Sequence, residues 1–329
     1  MRVGVQGQVS DPRPVVSGVP QGSVLGPLLF LVYINSIASG LSCSYKIFAD
    51  DLKLYACIDY PKKSLVAPHT QPSIQHDINL LCRTAASWGL HMNVKKCAVL
   101  RFARSSALTE PPSYSLNGIP IPLVSSASDL GVLVDSGLKF HAHVRTVSHK
   151  AGGLAYSLLK STVCRSRPFM LFLLTVHIRP LLEYCSCVWH TGFVQDLKML
   201  ENVQRRWTKR IDGMGSLSYA ERLRILNLYS IQGRLLRADL IMCWKVFHDQ
   251  SCISPADLFQ QPHQSRTRGH RYKIFLPTTR TDIRKRFFTV RCIAAWNSLS
   301  SDTVCATTLS SFKHGLDRDI NEALYAFAD

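Results

Sequence analysis

The chain has 329 residues, 46% of them hydrophobic, and carries 39 Lys and Arg against 22 Asp and Glu, a formal charge of +17. That length predicts two or three domains, and the positive charge favours a polyanionic partner, nucleic acid before an anionic membrane. Eleven cysteines, an odd number, argue against a secreted disulfide framework.

The longest apolar runs, "VLGPLLFLVYI" and "FMLFLLTV", are shorter than the roughly 20 residues that a membrane-spanning helix needs. The N-terminus shows no charged segment followed by an apolar one, so we expect no targeting leader. These features predict an intracellular protein of the nucleus or cytoplasm, not secreted and without a membrane partner.

The first elements in chain order are a strand, a loop and a helix. "RVGVQGQVS" alternates apolar and polar residues, which is typical of a half-buried strand. A loop rich in Gly and Pro follows, and then apolar residues at helical spacing predict a helix that begins near Pro27.

Hairpins and one more helix follow. "YKIFADDLKLY", residues 45–55, reads as two short strands around a polar turn. Residues 73–90 have the spacing of an amphipathic helix. Two further hairpins are predicted, one turning at Asn117-Gly118 and one at Asp135-Ser136-Gly137.

The pattern becomes helical after about residue 140, and no acidic residue occurs between Asp135 and Glu183. The tail from about residue 255 opens with loop material and continues as a basic amphipathic segment. We predict an α+β fold in three parts: residues 1–140 of strands and helices, a helical part 141–254, and a basic C-terminal region 255–329.

Two adjacent acids, Asp50 and Asp51, stand inside the apolar run of the predicted hairpin. Neighbouring carboxylates repel each other unless a cation lies between them. Mg²⁺ takes such oxygen ligands together with substrate phosphates, and paired Mg²⁺ ions serve phosphoryl transfer in polymerases and nucleases. The alternative for any such pair is an ordinary surface turn, where aspartates are common.

The motifs around Asp50 and Asp51 favour the metal site over the surface turn, because they resemble those of a known family. "SGVPQGSVLGPLLFLVYIN" followed by "FADD" resembles the reverse transcriptases of non-LTR, LINE-type retrotransposons, most closely the jockey-like group. "LHMNVKKCAVLRF" and "DLGVLVDSGLKFHAHV" are similar to the next blocks of that family, and "RPLLEYCSCVWH" and "FFTVRCIAAWNSL" to its C-terminal region. The resemblance implies a partial palm over residues 1–140, with a primer-grip-like hairpin, and a helical thumb over 141–254.

The resemblance also implies the catalytic groups. Asp50 and Asp51 would be catalytic and would hold two Mg²⁺ ions in the complete enzyme, Asp50 as the stronger ligand and Asp51 nearer the primer end. Phe48 takes the position of a family aromatic that packs against the primer or fills the palm. Lys96 matches a lysine near the pyrophosphate leaving group, and Lys95 is an equally good chemical candidate.

A loop beside template and incoming nucleotide is implied at Gly18, Pro20, Gln21 and Gly22. Glycine lets backbone approach a base closely, and glutamine both donates and accepts hydrogen bonds. The alternative is that these residues only shape a turn.

Basic residues of the helical part are candidates for phosphate contacts with an RNA template and a DNA primer. They form two groups: Lys150, Lys160, Arg165 and Arg167, then Arg205, Arg206, Lys209 and Arg210. Arg284, Lys285 and Arg286 form a third. The alternative for each group is a solvated helix face. Cys185 and Cys187 have the wrong spacing for a zinc site, and we predict buried thiols on a helix.

The family needs a third carboxylate on a strand before the "PQG" loop, and the only earlier acid is Asp11, beside Pro12 in a predicted turn. We therefore expect an N-terminally truncated RNA-directed DNA polymerase that uses deoxynucleotides when complete and is inactive, or nearly so, alone. Two alternatives stay open: a non-catalytic remnant that binds RNA or DNA, and a product without a stable fold.

Overall fold

The computed structural model describes residues 2, 4–14, 18, 22–57, 74–103, 113–260 and 269–327. The chain divides into two compact units, which we call unit 1 (Met1–Val124) and unit 2 (Ser125–Asp329). Helices dominate and the strands are few and short, so the α+β class is confirmed in this coarse form. The three-part division at residues 140 and 254 stays a prediction, as do the palm and the thumb.

Unit 1 combines two helices with short strands. Its elements are β1 (Gly4–Val5), β2 (Gln8–Val9), α1 (Gly26–Ile34), β3 (Ser44–Phe48), β4 (Asp51–Tyr55), α2 (Ile74–Ser87), a 3-10 turn (Val94–Lys96), β5 (Val99–Leu100), β6 (Ser115–Leu116), β7 (Ile119–Pro120) and β8 (Leu123–Val124). Throughout the described residues the strands pair two by two, and within unit 1 only β5 and β8 pair in parallel.

Three sequence predictions for unit 1 are confirmed. The first helix begins at Gly26, next to Pro27. The second helix ends at Ser87, and Gly89 takes a positive φ of 68° just beyond it. Asn117-Gly118 forms the turn between β6 and β7 with φ values of 52° and 79°.

The predicted strand over "RVGVQGQVS" is wrong. Gln6 and Gly7 both take positive φ, 50° and 81°, and turn the chain between β1 and β2. Positive φ at both central residues is the requirement of a tight two-residue hairpin turn. The two strands that result are exposed rather than half-buried.

The core of unit 1 is small. Its buried apolar cluster consists of Ile37, Ala38, Leu81 and Ala85, with Leu52 and other partly buried residues packed against it. Helix α1 contributes little to this core, since its leucines and valine are exposed.

Unit 2 opens with one hairpin and is otherwise helical. Its elements are β9 (Ser126–Asp129), β10 (Val132–Asp135), α3 (His141–Ser161), α4 (Arg167–Leu173), a π-helical turn (Leu174–Ile178), α5 (Arg179–Glu183), α6 (Ser186–Trp189), α7 (Val194–Thr208), α8 (Tyr219–Ile225), α9 (Ile231–Phe247), α10 (Pro255–Leu258), α11 (Asp282–Arg286), α12 (Phe288–Arg291), α13 (Ile293–Ser298), α14 (Ser301–Val304), α15 (Leu309–Asp319) and α16 (Asn321–Tyr325).

The prediction of a hairpin around Asp135-Ser136-Gly137 is wrong, although the chain does turn there, with the Leu138 amide donating to the Asp135 carbonyl oxygen at 2.9 Å. Leu130 and Gly131, with φ values of 45° and 84°, connect β9 to β10 instead. The Asp135 carboxylate accepts hydrogen bonds from the backbone amides of Gly137 and Phe140. Asp135 therefore organises the loop that leads into α3, a role that its turn-forming character also permits.

Two buried clusters fill unit 2. Trp189 and Trp207 belong to the first, Trp244 and Trp296 to the second, and α9 contributes to both. None of the described helices is long and apolar enough to cross a bilayer.

Candidate active site and nucleic-acid interface

The hairpin that carries the two acids is present as predicted. Phe48 pairs with Asp51, which leaves Ala49 and Asp50 as a two-residue turn between β3 and β4. Ala49 takes a φ of 52°, a left-handed conformation that costs an alanine roughly 1 kcal/mol or more. The turn is therefore specified by the pairing of its strands rather than by its own residues.

Strand alternation separates the two faces of this hairpin. Ile47 and Leu52 form a directly opposed pair and pack against the core of unit 1. The next opposed pair, Phe48 and Asp51, must point to the other face, because successive side chains alternate. Phe48 is 63% exposed, which fits an aromatic ring available to a ligand.

Two lysines share the outer face with Asp51. Lys46 pairs with Lys53, two residues along each strand from Phe48 and Asp51. Both lysines therefore point to the same face as Phe48 and Asp51. The sequence analysis missed these lysines. The period of two in "KIFADDLK" would have found them once the register was known.

Asp50 and Asp51 are both exposed, and their carboxylates make no hydrogen bond or ion pair with any residue that the structure describes. Four oxygens are thus available to a cation, and carboxylate oxygen is the ligand that Mg²⁺ prefers. Among the described residues no group of three or more His, Cys, Asp or Glu side chains is placed to hold a metal ion. The two acids fit as part of a magnesium site, not as a complete one.

A buried acid on α2 holds the start of the hairpin. Asp77 is fully buried, and its Oδ2 accepts hydrogen bonds from the backbone amides of Ser42, at 3.0 Å, and Cys43, at 2.6 Å. Burial raises the pKa of Asp77, but the hydrogen bonds from Cys43 and Ser42 outweigh it and the net pKa is lowered. The sequence analysis did not identify Asp77. It could have been found as an acid on the apolar face of the amphipathic helix α2.

The other predicted residues of unit 1 are only partly described. Gly18 and Gly22 have φ values of 79° and 80°, which favour glycine, and open space surrounds the position of an added Cβ. Pro20 and Gln21 lie outside the described residues. Lys96 is exposed at the end of the 3-10 turn, and no hydrogen bond or ion pair joins it to the hairpin. Its role and that of the loop stay predictions.

Two of the predicted phosphate-binding residues are engaged in the fold of unit 2. The Arg165 guanidinium donates to the carbonyl oxygens of Leu159 and Thr162, at 2.8 Å each, and so caps the C-terminus of α3. Arg205 is half-buried over the rings of Tyr219, at 5.0 Å, and Phe327, at 5.5 Å. These contacts give both arginines a structural role.

Helices α3 and α7 pack side by side and run in the same direction. His141, at the start of α3, lies 2.7 Å from the carboxylate of Asp196 near the start of α7. Beyond the other ends, the Asp212 amide donates to the Arg165 carbonyl oxygen. The C-termini of the two helices therefore lie together.

Exposed cations gather at that shared end. Lys160 closes α3, Lys209 and Arg210 follow α7, and the Arg167 guanidinium lies 3.9 Å from the position of a Cβ on Gly213. We call these four residues the basic end. Cations near helix C-termini also offset the helix dipoles, which is the structural alternative.

The remaining predicted cations lie apart from the basic end or beside it. Lys150 is exposed about 15 Å further up α3, and Arg206 is exposed on α7. In the third group, Arg286 donates to the Thr191 carbonyl oxygen and stacks over the ring of Phe193 at 4.0 Å.

The two cysteines near α6 differ in burial. Cys187 is half-buried on α6, whereas Cys185 is exposed just before that helix. The prediction of two buried thiols on a helix is therefore wrong for Cys185.

Residues 2–134 match the family described as "Reverse transcriptase (RNA-dependent DNA polymerase)". This part of the chain is therefore similar to reverse transcriptases. This match contains the β3–β4 hairpin, the loop at residues 18–22 and Lys96, and it ends inside β10. The resemblance to reverse transcriptases of jockey-like elements is thereby confirmed.

The chain is also similar to proteins from mobile elements of flies. A probable RNA-directed DNA polymerase from transposon X-element of Drosophila melanogaster is 29% identical over 216 residues, 62% of this chain and 23% of the relative. The RNA-directed DNA polymerases from mobile element jockey of D. melanogaster and D. funebris are 29% and 26% identical, over 44% and 43% of this chain and 16% and 15% of the relatives. No solved structure matches.

The chain thus spans less than a quarter of the length of these relatives. The similarity to the X-element protein extends over more residues than the family match, so it reaches into unit 2.

Proposed function

We propose that this chain forms part of the palm and the adjoining helical region of a retrotransposon RNA-directed DNA polymerase. The observation that carries the proposal is the β3–β4 turn, where Asp50 and Asp51 expose carboxylates that none of the described residues engages, within the part of the chain that matches the family. A structural carboxylate in the same unit, Asp77, is buried and saturated with hydrogen bonds instead.

Asp50 and Asp51 would hold Mg²⁺, which supplies charge neutralisation for the α-phosphate and the pyrophosphate when bound. Phe48, on the same face, would pack against the primer end that attacks the deoxynucleotide. Lys46 and Lys53, further along that face, would contact phosphates of the primer strand.

Lys96 and the loop residues complete the proposed assignment. Lys96 would neutralise or protonate the leaving pyrophosphate, since an exposed ammonium is suited to either task. Gly18 and Gly22, already in conformations that favour glycine, would shape the loop in which Gln21 meets template and nucleotide.

The site lacks a third carboxylate among the described residues, and two-metal transfer requires a fixed ligand set. We therefore propose that the 329-residue chain by itself does not extend primers.

Metal binding tests the site directly. We expect Mn²⁺, added with dTTP and followed by electron paramagnetic resonance, to bind the wild-type chain. Asp50→Asn and Asp51→Asn should each weaken that binding about tenfold or more, because each removes a ligand charge. Asp11→Asn, an exposed acid away from the hairpin, is the matched control. Equal Mn²⁺ binding by the wild type and the Asp50→Asn/Asp51→Asn double variant contradicts the proposal.

Primer extension separates ancestry from activity. On poly(rA) with an oligo(dT) primer and Mg²⁺, we expect no product from the isolated chain. Product that disappears in Asp50→Asn would show that the chain holds a complete catalytic site, and the proposed inactivity would be wrong.

A second candidate function is nucleic-acid binding without catalysis. The basic end of unit 2 favours it, because four exposed cations from three segments meet there on a chain of charge +17. Such a surface binds phosphates without reading sequence.

Fluorescence anisotropy with a labelled 20-nucleotide RNA tests this surface. We expect Lys209→Glu/Arg210→Glu to lower the affinity at least tenfold and to flatten the dependence of the association constant on salt. Arg224→Glu/Lys313→Glu changes the charge equally on α8 and α15, outside the three predicted groups, and should have a smaller effect. Equal losses in both double variants would mean that net charge alone, and not the basic end, drives binding.

A further inference from the structure

A further pair of arginines, half-buried in unit 2, belongs to none of the groups of cations described above. Arg179 and Glu183 are the first and last residues of α5, and Arg234 lies on the neighbouring helix α9. All three side chains are largely buried, with 16%, 23% and 22% of their surface exposed.

The Glu183 carboxylate is shared by the guanidinium groups of Arg179 and Arg234. Arg234 donates from Nε and Nη2 to both oxygens of Glu183, the second at 2.7 Å. Arg179 is left at the edge of this pair, with Nε 3.7 Å from Glu183 Oε1, too far for a hydrogen bond. Arg179 Nε is buried and has no hydrogen-bond partner among the described residues.

The next arginine along α9 does not change this balance. Arg237 forms its own two-point pair with Asp317, through Nε–Oδ1 at 2.5 Å and Nη2–Oδ2 at 2.9 Å. The cluster of Arg179, Arg234 and Glu183 therefore keeps one positive charge without an anion. Burial, and then the charge of Arg234, lower the pKa of Arg179 to about 10, against the opposing effect of Glu183.

The backbone at this point is also unusual. Residues Leu174–Ile178 form a π-helical turn, and Arg179 follows it directly. π-helical turns are less favourable than α-helical ones and are frequent at functional sites. An unmatched, partly buried guanidinium is costly to a fold unless a ligand brings the missing anion.

We infer that Arg179, supported by Arg234, binds a phosphate group of a nucleic acid. The guanidinium fork matches the oxygens of a phosphate, and a partly buried donor binds more strongly than an exposed one. The choice of a nucleic acid as the source of the phosphate rests on the proposed function, whereas the anion site itself rests only on the cluster.

Thermal unfolding in inorganic phosphate, at constant ionic strength held with NaCl, tests the anion site. Arg179→Met removes the charge and keeps the length of the side chain, and Arg145→Met, at an exposed arginine of α3, is the control. Without phosphate we expect Arg179→Met to melt at or above the wild-type temperature, because an unmatched charge is gone. Phosphate should raise the melting temperature of the wild type and of Arg145→Met by a few degrees, but not that of Arg179→Met.

Two results overturn the anion site. One is a phosphate-induced shift of the same size in Arg179→Met as in the wild type. The other is a lower melting temperature of Arg179→Met without phosphate, which would give Arg179 a merely structural role. Arg179→Lys keeps the charge but not the guanidinium fork, and it is expected to retain only part of the phosphate shift.

RNA binding tests the source of the phosphate. We expect Arg179→Met to weaken binding of a 20-nucleotide RNA about three- to tenfold and to reduce the salt slope by about one. Unchanged RNA affinity in a variant that has lost its phosphate shift overturns the assignment to nucleic acid. A wild-type chain that responds to phosphate but binds no RNA overturns the proposed function and leaves the anion site standing.

Discussion

Asp77 and the pair Asp50-Asp51 are residues of one type in opposite surroundings. Asp77 is buried and accepts hydrogen bonds from Ser42 and Cys43, so its charge is fully used by the fold. Asp50 and Asp51 are exposed, and no group of the described ranges forms a hydrogen bond or ion pair with their carboxylates. The first carboxylate positions the hairpin, and the other two are free to bind a cation.

Replacement of Asp77 by Asn should destabilise the hairpin. The amide oxygen of asparagine could still accept from the Ser42 and Cys43 backbone amides, but hydrogen bonds to a neutral acceptor are weaker than those to a carboxylate, a loss of about 1 kcal/mol. Hydrogen–deuterium exchange of peptides that cover residues 40–48 measures the effect, and Asp11→Asn is the control. Unchanged protection in Asp77→Asn would contradict this role.

The lowered pKa of Asp77 also predicts a pH dependence. A carboxyl group whose pKa is lower in the folded state stabilises the fold above its unfolded pKa, which is near 3.8, and loses that contribution as the pH falls through its folded pKa. Protection of residues 40–48 in the wild type should therefore fall as the pH drops below about 4. Asp77→Asn should show a smaller change over the same range.

At the scale of elements, close backbone approach decides how helices of unit 2 pack. A Cβ added to Gly233 on α9 would lie 2.4 Å from the carbonyl oxygen of Leu324 on α16. The Ser230 hydroxyl at the start of α9 also donates to that oxygen, at 3.1 Å. Only glycine lets these two helices meet at this distance.

Gly233→Ala should therefore lower the free energy of unfolding of unit 2 by about 1–3 kcal/mol, although alanine favours helix, because backbone must move to admit the Cβ. Gly153→Ala on α3 is the matched control, since open space surrounds its Cβ, and it should be neutral or stabilise by up to about 1 kcal/mol. Urea unfolding followed by tryptophan fluorescence compares the two. Equal stability of both variants would contradict this prediction, because α16 would then move to admit the Cβ without loss of stability.

The turns show where local sequence is sufficient. Asn117-Gly118 was predicted correctly, because both residues accept positive φ readily. Leu130-Gly131 was missed, because leucine is a poor residue for a left-handed turn and the strands around it impose the conformation. Asp135 looked like a turn residue and is one, but its turn leads into a helix.

For the whole molecule, the two units differ in the size of their cores. The buried cluster of unit 1 has four residues among those described, whereas unit 2 has two large clusters with four buried tryptophans. Stability follows the apolar surface that is buried. We therefore expect unit 1 to have the lower free energy of unfolding.

We expect unit 1 to unfold at lower urea concentration than unit 2. Trp88 is the one tryptophan of unit 1, so Trp88→Phe should remove the early part of the fluorescence transition and keep the late part. Hydrogen exchange of peptides around Leu81 and Leu240 provides the independent measurement. A single transition in which both regions lose protection together would contradict this expectation.

The sequence by itself determined the similarity to reverse transcriptases, the α+β class, the hairpin at residues 45–55 and the helices that begin at Gly26 and Ile74, because these depend on local motifs and on the period of apolar residues. Only the tertiary structure decided that Arg165 and Arg205 serve the fold and that Lys160, Arg167, Lys209 and Arg210 share one end. It also decided that Arg179 and Arg234 share the single carboxylate of Glu183. Which charge meets which partner depends on contacts between residues far apart in the chain, and no local pattern encodes them.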